Sequence, residues 1–194
     1  MIVASVNPRI YVYPNFLTEE ECEHIIQIGA IQGLERSLVA GSNEATESKQ
    51  RTSYGAFLDS TGDAVLRQIE EKIAVWTHIP PQHGEPFYLL RYAEGQEYKP
   101  HWDYFDPNLP GMEKYLGAPG QRTATVLLYL ATPEEGGETV FPKAEIMVPA
   151  VKGTAVLFWS HTGDHQLDVN SFHGGMPVIS GLKYCCTKWI RENR

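Results

Sequence analysis

Apolar residues in this chain follow a helical rhythm first and a strand rhythm from about residue 86 onward. Ile10-Tyr11-Val12-Tyr13 reads as a strand leading into the helical part. Thr18-Glu19-Glu20-Glu21 has the form of a capping box, in which the threonine hydroxyl and the third-position glutamate satisfy free amides at a helix start. The helix it opens runs through Cys22, Ile25, Ile26 and Ile28 and stops near Gly29 or Gly33. Val65, Leu66, Ile69, Ile73 and Trp76 recur at three and four, which predicts a second helix from Ser60 or Thr61, closed by Pro80-Pro81. Short apolar segments then follow at 87–92, 98–104, 123–131, 138–141, 146–148, 154–159 and 183–190, separated by glycine turns. This pattern predicts an α+β chain: a jelly-roll core with the N-terminal helices packed on one sheet. The expected layout is one domain over 1–194, with a helical part at about 15–80 and a β core at about 86–191.

The composition, with 42% hydrophobic and 21% charged residues, suits a globular protein. A net charge of −8 argues against non-specific nucleic-acid binding, which needs a basic face. Three cysteines, two of them adjacent at Cys185-Cys186, form neither a zinc spacing nor a disulfide framework. Reduced core thiols are expected, with only one of the adjacent pair facing inward. No apolar run has the length of a membrane span and no signal peptide is visible, which suggests a cytoplasmic location if the chain is full-length. Oligomeric state is not legible.

Among the seven histidines, His101-Trp102-Asp103 lies in a strand-like segment, where alternation puts imidazole and carboxylate on one face. That pair alone fits equally a polar pair on a solvated face. His173 follows 72 positions later in Ser171-Phe172-His173-Gly174-Gly175, and a late jelly-roll strand can lie beside an early one. Two histidines and one carboxylate cap one face of an octahedral metal and leave the other open, as in non-haem iron oxygenases. Lys183, ten residues further on, opens an apolar strand, where an ammonium either snorkels to water, as on an edge strand, or meets a negative partner such as a dicarboxylate.

Together, His101-x-Asp103, His173 and Lys183, with Arg51-Thr52-Ser53-Tyr54-Gly55, Tyr92-Ala93-Glu94-Gly95, Arg122-Thr123-Ala124-Thr125 and Glu135-Gly136-Gly137-Glu138-Thr139, resemble the prolyl 4-hydroxylase family of Fe(II)/2-oxoglutarate-dependent dioxygenases. The resemblance spans nearly the whole chain and implies a double-stranded β-helix. It implies Fe(II) on His101, Asp103 and His173, with O2 and 2-oxoglutarate as cosubstrates and ascorbate as a further cofactor. Lys183 would pair with the far carboxylate of 2-oxoglutarate, with Tyr92 and Thr125 hydrogen-bonding it. Arg51, Ser53, Tyr98, Arg122 and Trp189 would contact a proline-rich peptide or protein substrate, hydroxylated at C4 of proline with release of succinate and CO2. Two departures stand out. Trp102 replaces the usual tyrosine, and alternation points it away from the metal. Arg191 stands where some relatives have histidine.

Two loops, residues 106–120 and 34–50, are candidates for closure over the site. Two other readings of the chain remain. One is a related dioxygenase acting on another protein side chain or a free amino acid. The other is a jelly-roll binding module with a structural metal.

Overall fold

The computed structural model describes residues 1–39, 46–47 and 49–194. In chain order the first elements are β1 (Ile2–Val6), β2 (Arg9–Tyr13), α1 (Glu19–Gln32), β3 (Glu35–Arg36), β4 (Leu38–Val39), β5 (Thr46–Glu47), β6 (Tyr54–Leu58) and α2 (Ala64–Thr77). Next come β7 (Phe87–Tyr92), β8 (Tyr98–His101), α3 (Glu113–Leu116), β9 (Arg122–Ala131), β10 (Glu135–Gly136), β11 (Thr139–Phe141) and β12 (Ile146–Val148). The last are β13 (Ala155–Trp159), β14 (His173–Gly175), β15 (Val178–Ser180) and β16 (Lys183–Arg191).

An antiparallel sheet of eight strands, ordered β1-β2-β13-β9-β16-β7-β6-β3, faces a sheet of four, ordered β12-β11-β14-β8. The helices pack on the outer face of the larger sheet, so that sheet is covered on both sides. Strand alternation divides its residues between two cores. Ala124, Val126, Leu128 and Leu130 of β9 meet Cys22 and Ile25 of α1 and Leu66, Ile69 and Ile73 of α2. Tyr129 of β9, Leu90 and Tyr92 of β7, and Cys185 and Trp189 of β16 point the other way, toward Phe141 and Phe158. Both adjacent cysteines are therefore buried, one in each core, which corrects the expectation that only one faces inward.

Thr18 forms the capping box and Gly33 ends α1, as the sequence predicts. Helix α2 starts later than predicted: Asp63, not Ser60 or Thr61, is the cap, its carboxylate accepting from the Leu66 amide at 2.9 Å. The N-terminal third is also less helical than its rhythm suggests, since β1 and β3 to β6 lie within it. In particular, β6 pairs with β7 and extends the large sheet. The predicted strand over 98–104 stops at His101. The loop at 34–50 contributes β3, β4 and β5; within it, residues 40–45 and 48 lie outside the described residues. Among the described residues no helix is long and apolar enough to cross a membrane.

Lys188 lies on the helix-facing side of β16, 3% exposed, with its ammonium 2.5 Å from Glu70 of α2. Removing one partner of a buried pair leaves an uncompensated charge. Glu70→Ala should therefore lower stability by roughly 3 kcal/mol in denaturant melts. It should leave Fe(II) affinity unchanged, because the pair lies on the sheet face away from the site.

Candidate active site

Strands β8 and β14 are neighbours, and their register sets His101 directly opposite His173. Each imidazole has its Nδ1 tied off by a backbone carbonyl two residues back: Lys99 for His101 and Ser171 for His173, both at 2.9 Å. A carbonyl only accepts, so Nδ1 carries the proton and Nε2 presents its lone pair. Both Nε2 atoms face Asp103, at 3.4 Å from Oδ1 for His101 and 3.5 Å from Oδ2 for His173.

The three potential ligand atoms lie within 4.8 Å of one another. Asp103 does not reach this place by strand alternation, because β8 has ended and the chain turns there. Its carboxylate is held by Thr125, whose hydroxyl donates to Oδ2 at 2.7 Å. Burial opposes ionisation of Asp103, but His173 and His101 outweigh it and hold the carboxyl well below its usual range. Burial pushes the His173 imidazole down to about 4, against the pull of Asp103. His173 is thus held neutral beside an ionised Asp103, the forms in which an imidazole and a carboxylate bind a divalent metal.

A chamber opens beside the triad, lined on the strand face that carries Tyr92, Thr125 and Lys183. Lys183 is 3% exposed. Its ammonium donates to the Gly137 carbonyl at 2.7 Å and stands over the rings of Tyr92 and Tyr129. Among the described residues it has no carboxylate partner, and burial lowers its pKa. Tyr129 and Thr139, which sequence reasoning missed, share a 2.7 Å hydrogen bond in this region. Both residues sit in strands that read from sequence as ordinary core.

Thr125 was expected at the far carboxylate of the cosubstrate, but its hydroxyl is engaged at the metal end by Asp103. Ser53, an expected substrate contact, is fully buried and bonds to Ser37, which also receives the Tyr88 hydroxyl. It lines neither the chamber nor the groove. Sequence position alone could not distinguish Ser53 from its exposed neighbours.

A groove of roughly 910 Å³ runs past His101 and Asp103 and is lined also by Arg51, Tyr98, Arg122 and Trp189. Arg51 lies between the rings of Tyr88 and Tyr98, at 5.0 and 4.6 Å. Tyr98 in turn stacks on His101 with ring centres 3.6 Å apart. Arg122 stands 4.0 Å over Trp189 and forms two 2.7 Å bonds to Glu85. Glu85, which sequence reasoning also missed, binds Arg191 as well. Burial resists its ionisation, yet the two arginines hold its carboxyl below the usual value. Trp102 packs on Phe172 and Tyr104 and lines the groove with them.

Comparison with known proteins decides what this triad and chamber belong to. Residues 87–191 match the model of the 2OG-Fe(II) oxygenase superfamily, a span that contains the triad and Lys183. The chain belongs to that family. Its members use Fe(II), 2-oxoglutarate and O2, and the donor set described above fits that metal. Among similar proteins of this superfamily is "Probable prolyl 4-hydroxylase 10" of Arabidopsis thaliana, 43% identical over 97% of this chain and 71% of that protein. "Prolyl 4-hydroxylase 2" of the same organism is 40% identical over 96% of this chain and 68% of its own length. The crystal structure of a viral collagen prolyl hydroxylase from Paramecium Bursaria Chlorella virus-1, in complex with 2OG, superposes with a TM-score of 0.73. It is 28% identical and the match covers 94% of this chain and 95% of that one. A Trichoplax adhaerens prolyl hydroxylase, 17% identical with a TM-score of 0.68, shares the fold. The double-stranded β-helix predicted from sequence is thereby established for this oxygenase.

Gly174, between the second histidine and Gly175, lies close against the backbone of β8. A Cβ there would stand 2.8 Å from the Pro100 nitrogen and 2.9 Å from the Tyr98 carbonyl, both backbone atoms that cannot swing aside. Gly174→Ala should push the two histidine strands apart and weaken Fe(II) binding at least about tenfold by titration. Unchanged affinity would show that the close approach is not what sets the His101–His173 spacing.

Proposed function

We propose that this dioxygenase hydroxylates C4 of prolyl residues within a proline-rich peptide, working as a single domain. The observation that carries the cosubstrate half of this reading is Lys183: a buried ammonium with no carboxylate partner among the described residues, in a chamber that opens onto the metal triad. A buried unpaired charge costs several kcal/mol, which a dicarboxylate spanning from metal to lysine offsets. A module with a merely structural metal has no use for such a group.

His101, Asp103 and His173 would hold Fe(II), which when bound couples dioxygen reduction to decarboxylation of 2-oxoglutarate, giving succinate, CO2 and a hydroxylated C–H carbon. Lys183, together with Tyr92 of the same chamber wall, would fix the far carboxylate and so orient the keto acid. Thr125 would hold Asp103 in its ligating rotamer, a supporting role that replaces the carboxylate contact first expected of it. Phe141 and Phe158, which pack against the His173 ring, would keep water from that side of the metal.

The names of the relatives support proline as the target residue. The open groove favours a peptide over a free amino acid, for which a closed pocket would suit better. A proline-rich segment adopts polyproline II unaided and docks on aromatic surfaces such as Tyr98 and Trp189. Arg51 and Arg122 would meet its carbonyls.

Lys183→Ala should raise the KM for 2-oxoglutarate by about tenfold or more, the worth of a charged hydrogen bond. Fe(II) affinity in the absence of 2-oxoglutarate should hardly move. An unaltered 2-oxoglutarate dependence would place the anchor elsewhere.

The substrate is tested by giving a repeating proline peptide and free proline at equal proline concentration and locating a +16 mass shift by fragmentation. The peptide should be hydroxylated at C4 and free proline poorly. Faster turnover of free proline would favour a free amino-acid hydroxylase. Trp189→Ala should depress peptide hydroxylation while 2-oxoglutarate decarboxylation without peptide persists.

A further inference from the structure

We propose that Arg191 is a positioning residue that fixes residues 106–120 as a preformed wall of the peptide groove; this rests on the peptide reading above. Arg191 is the last residue of β16 and is 8% exposed. Its guanidinium donates to Glu85 Oε1 at 2.9 Å, to the Tyr115 carbonyl at 2.6 Å and to the Leu116 carbonyl at 3.0 Å. Both carbonyls end α3, inside the 106–120 segment. The cation also stands 5.1 Å over the Phe105 ring, which stacks on Tyr115 at 5.2 Å and 11°. From this segment Leu109, Met112 and Tyr115 reach the groove, which they share with Arg122 and Trp189.

One buried cation therefore joins three parts: the strand that carries Trp189, the carboxylate that holds Arg122, and the wall. Charge explains why the joint is firm. Glu85 is one carboxylate between two guanidiniums, so the cluster carries a surplus positive charge that the Tyr115 and Leu116 carbonyls partly solvate. If the wall lifted away, that charge would lose its two acceptors while remaining beside Arg122. Arginine suits the place because its planar fork reaches the carboxylate and both carbonyls at once, whereas a lysine ammonium is a single point. A wall held before substrate arrives is not ordered at the expense of binding. The segment that reads from sequence as a closing loop is thus a fixture at its α3 end. No residue of 106–120 lines the 2-oxoglutarate chamber, so the effect is specific to peptide.

The test uses the full chain with Arg191→Gln and Arg191→Lys. Amide hydrogen exchange across 106–120 is measured without substrate, and KM is measured for the proline peptide and for 2-oxoglutarate. In Arg191→Gln, exchange across 106–120 should rise and peptide KM should increase about tenfold, while 2-oxoglutarate KM moves less than about twofold. Arg191→Lys should fall between this variant and the parent. Unchanged exchange in Arg191→Gln overturns the proposal, and so does an equal rise in both KM values, which would mean a general loss of the site. Should Arg191→Gln not fold, the lysine variant decides alone: parent-like exchange and peptide KM would refute the fork. A parent protein that hydroxylates no proline peptide would refute the substrate reading, and the exchange data would still decide whether Arg191 holds the wall.

Discussion

Directly opposed residues on paired antiparallel strands have their Cβ atoms about 5 Å apart, and the site is built on that constraint. Its two histidines are 72 positions apart in sequence and come together only because β14 pairs with β8 in the register His173 to His101. A slip of one residue would turn one imidazole to the opposite face. Gly174 lets the strands close, and the two Nδ1 bonds to backbone carbonyls turn both Nε2 atoms toward Asp103. Backbone hydrogen bonding thus fixes strand spacing, ring orientation and tautomer together, before any metal arrives.

The larger sheet adds a second constraint, alternation between two buried faces. Lys183 and Lys188 belong to the same strand and are equally buried, at 3% each. Five positions apart, they face opposite sides. Lys188 meets Glu70 of α2 and serves stability. Lys183 faces the chamber, where it donates to the Gly137 carbonyl and, among the described residues, meets no carboxylate. Burial is the same for both lysines, so burial does not separate the structural residue from the functional one. The partner does.

How much of this could be read from sequence follows from the range of the interactions involved. The capping box at Thr18 and the end of α1 at Gly33 are local, and local signals report them. The ligand set and Lys183 were legible through spacing and resemblance, because those residues recur as a pattern. Asp103 shows the limit: its place was expected from alternation in a strand, but a turn after His101 delivers it and Thr125 secures it. Ser53, Glu85 and Thr139 depend on contacts between distant elements, which no local pattern carries. Strand β6 was hidden for a related reason, since Tyr54 to Leu58 becomes a strand by adding to β7 at the sheet edge.

The groove combines an acidic protein with a cationic floor. The chain carries a net charge of −8, yet Arg51, Arg122 and Arg191 all line the groove, and the last two share the carboxylate of Glu85. All three lie on aromatic faces, Arg51 against Tyr88 and Tyr98, Arg122 against Trp189 and Phe105, and Arg191 against Phe105. Guanidinium is less strongly hydrated than ammonium and stacks on rings, so its burial there costs less than that of an ammonium. Each ring is then held by a cation that is itself held by a carboxylate or carbonyl, and little freedom remains to be lost on binding. A polyproline II peptide also arrives with little freedom to lose. Two stiff partners make modest contacts sufficient, because the entropy that usually opposes association is small on both sides. Stiffness also selects. A free amino acid spans too little of such a groove to use more than one of its aromatic faces, whereas an extended peptide of the kind proposed would engage several in succession.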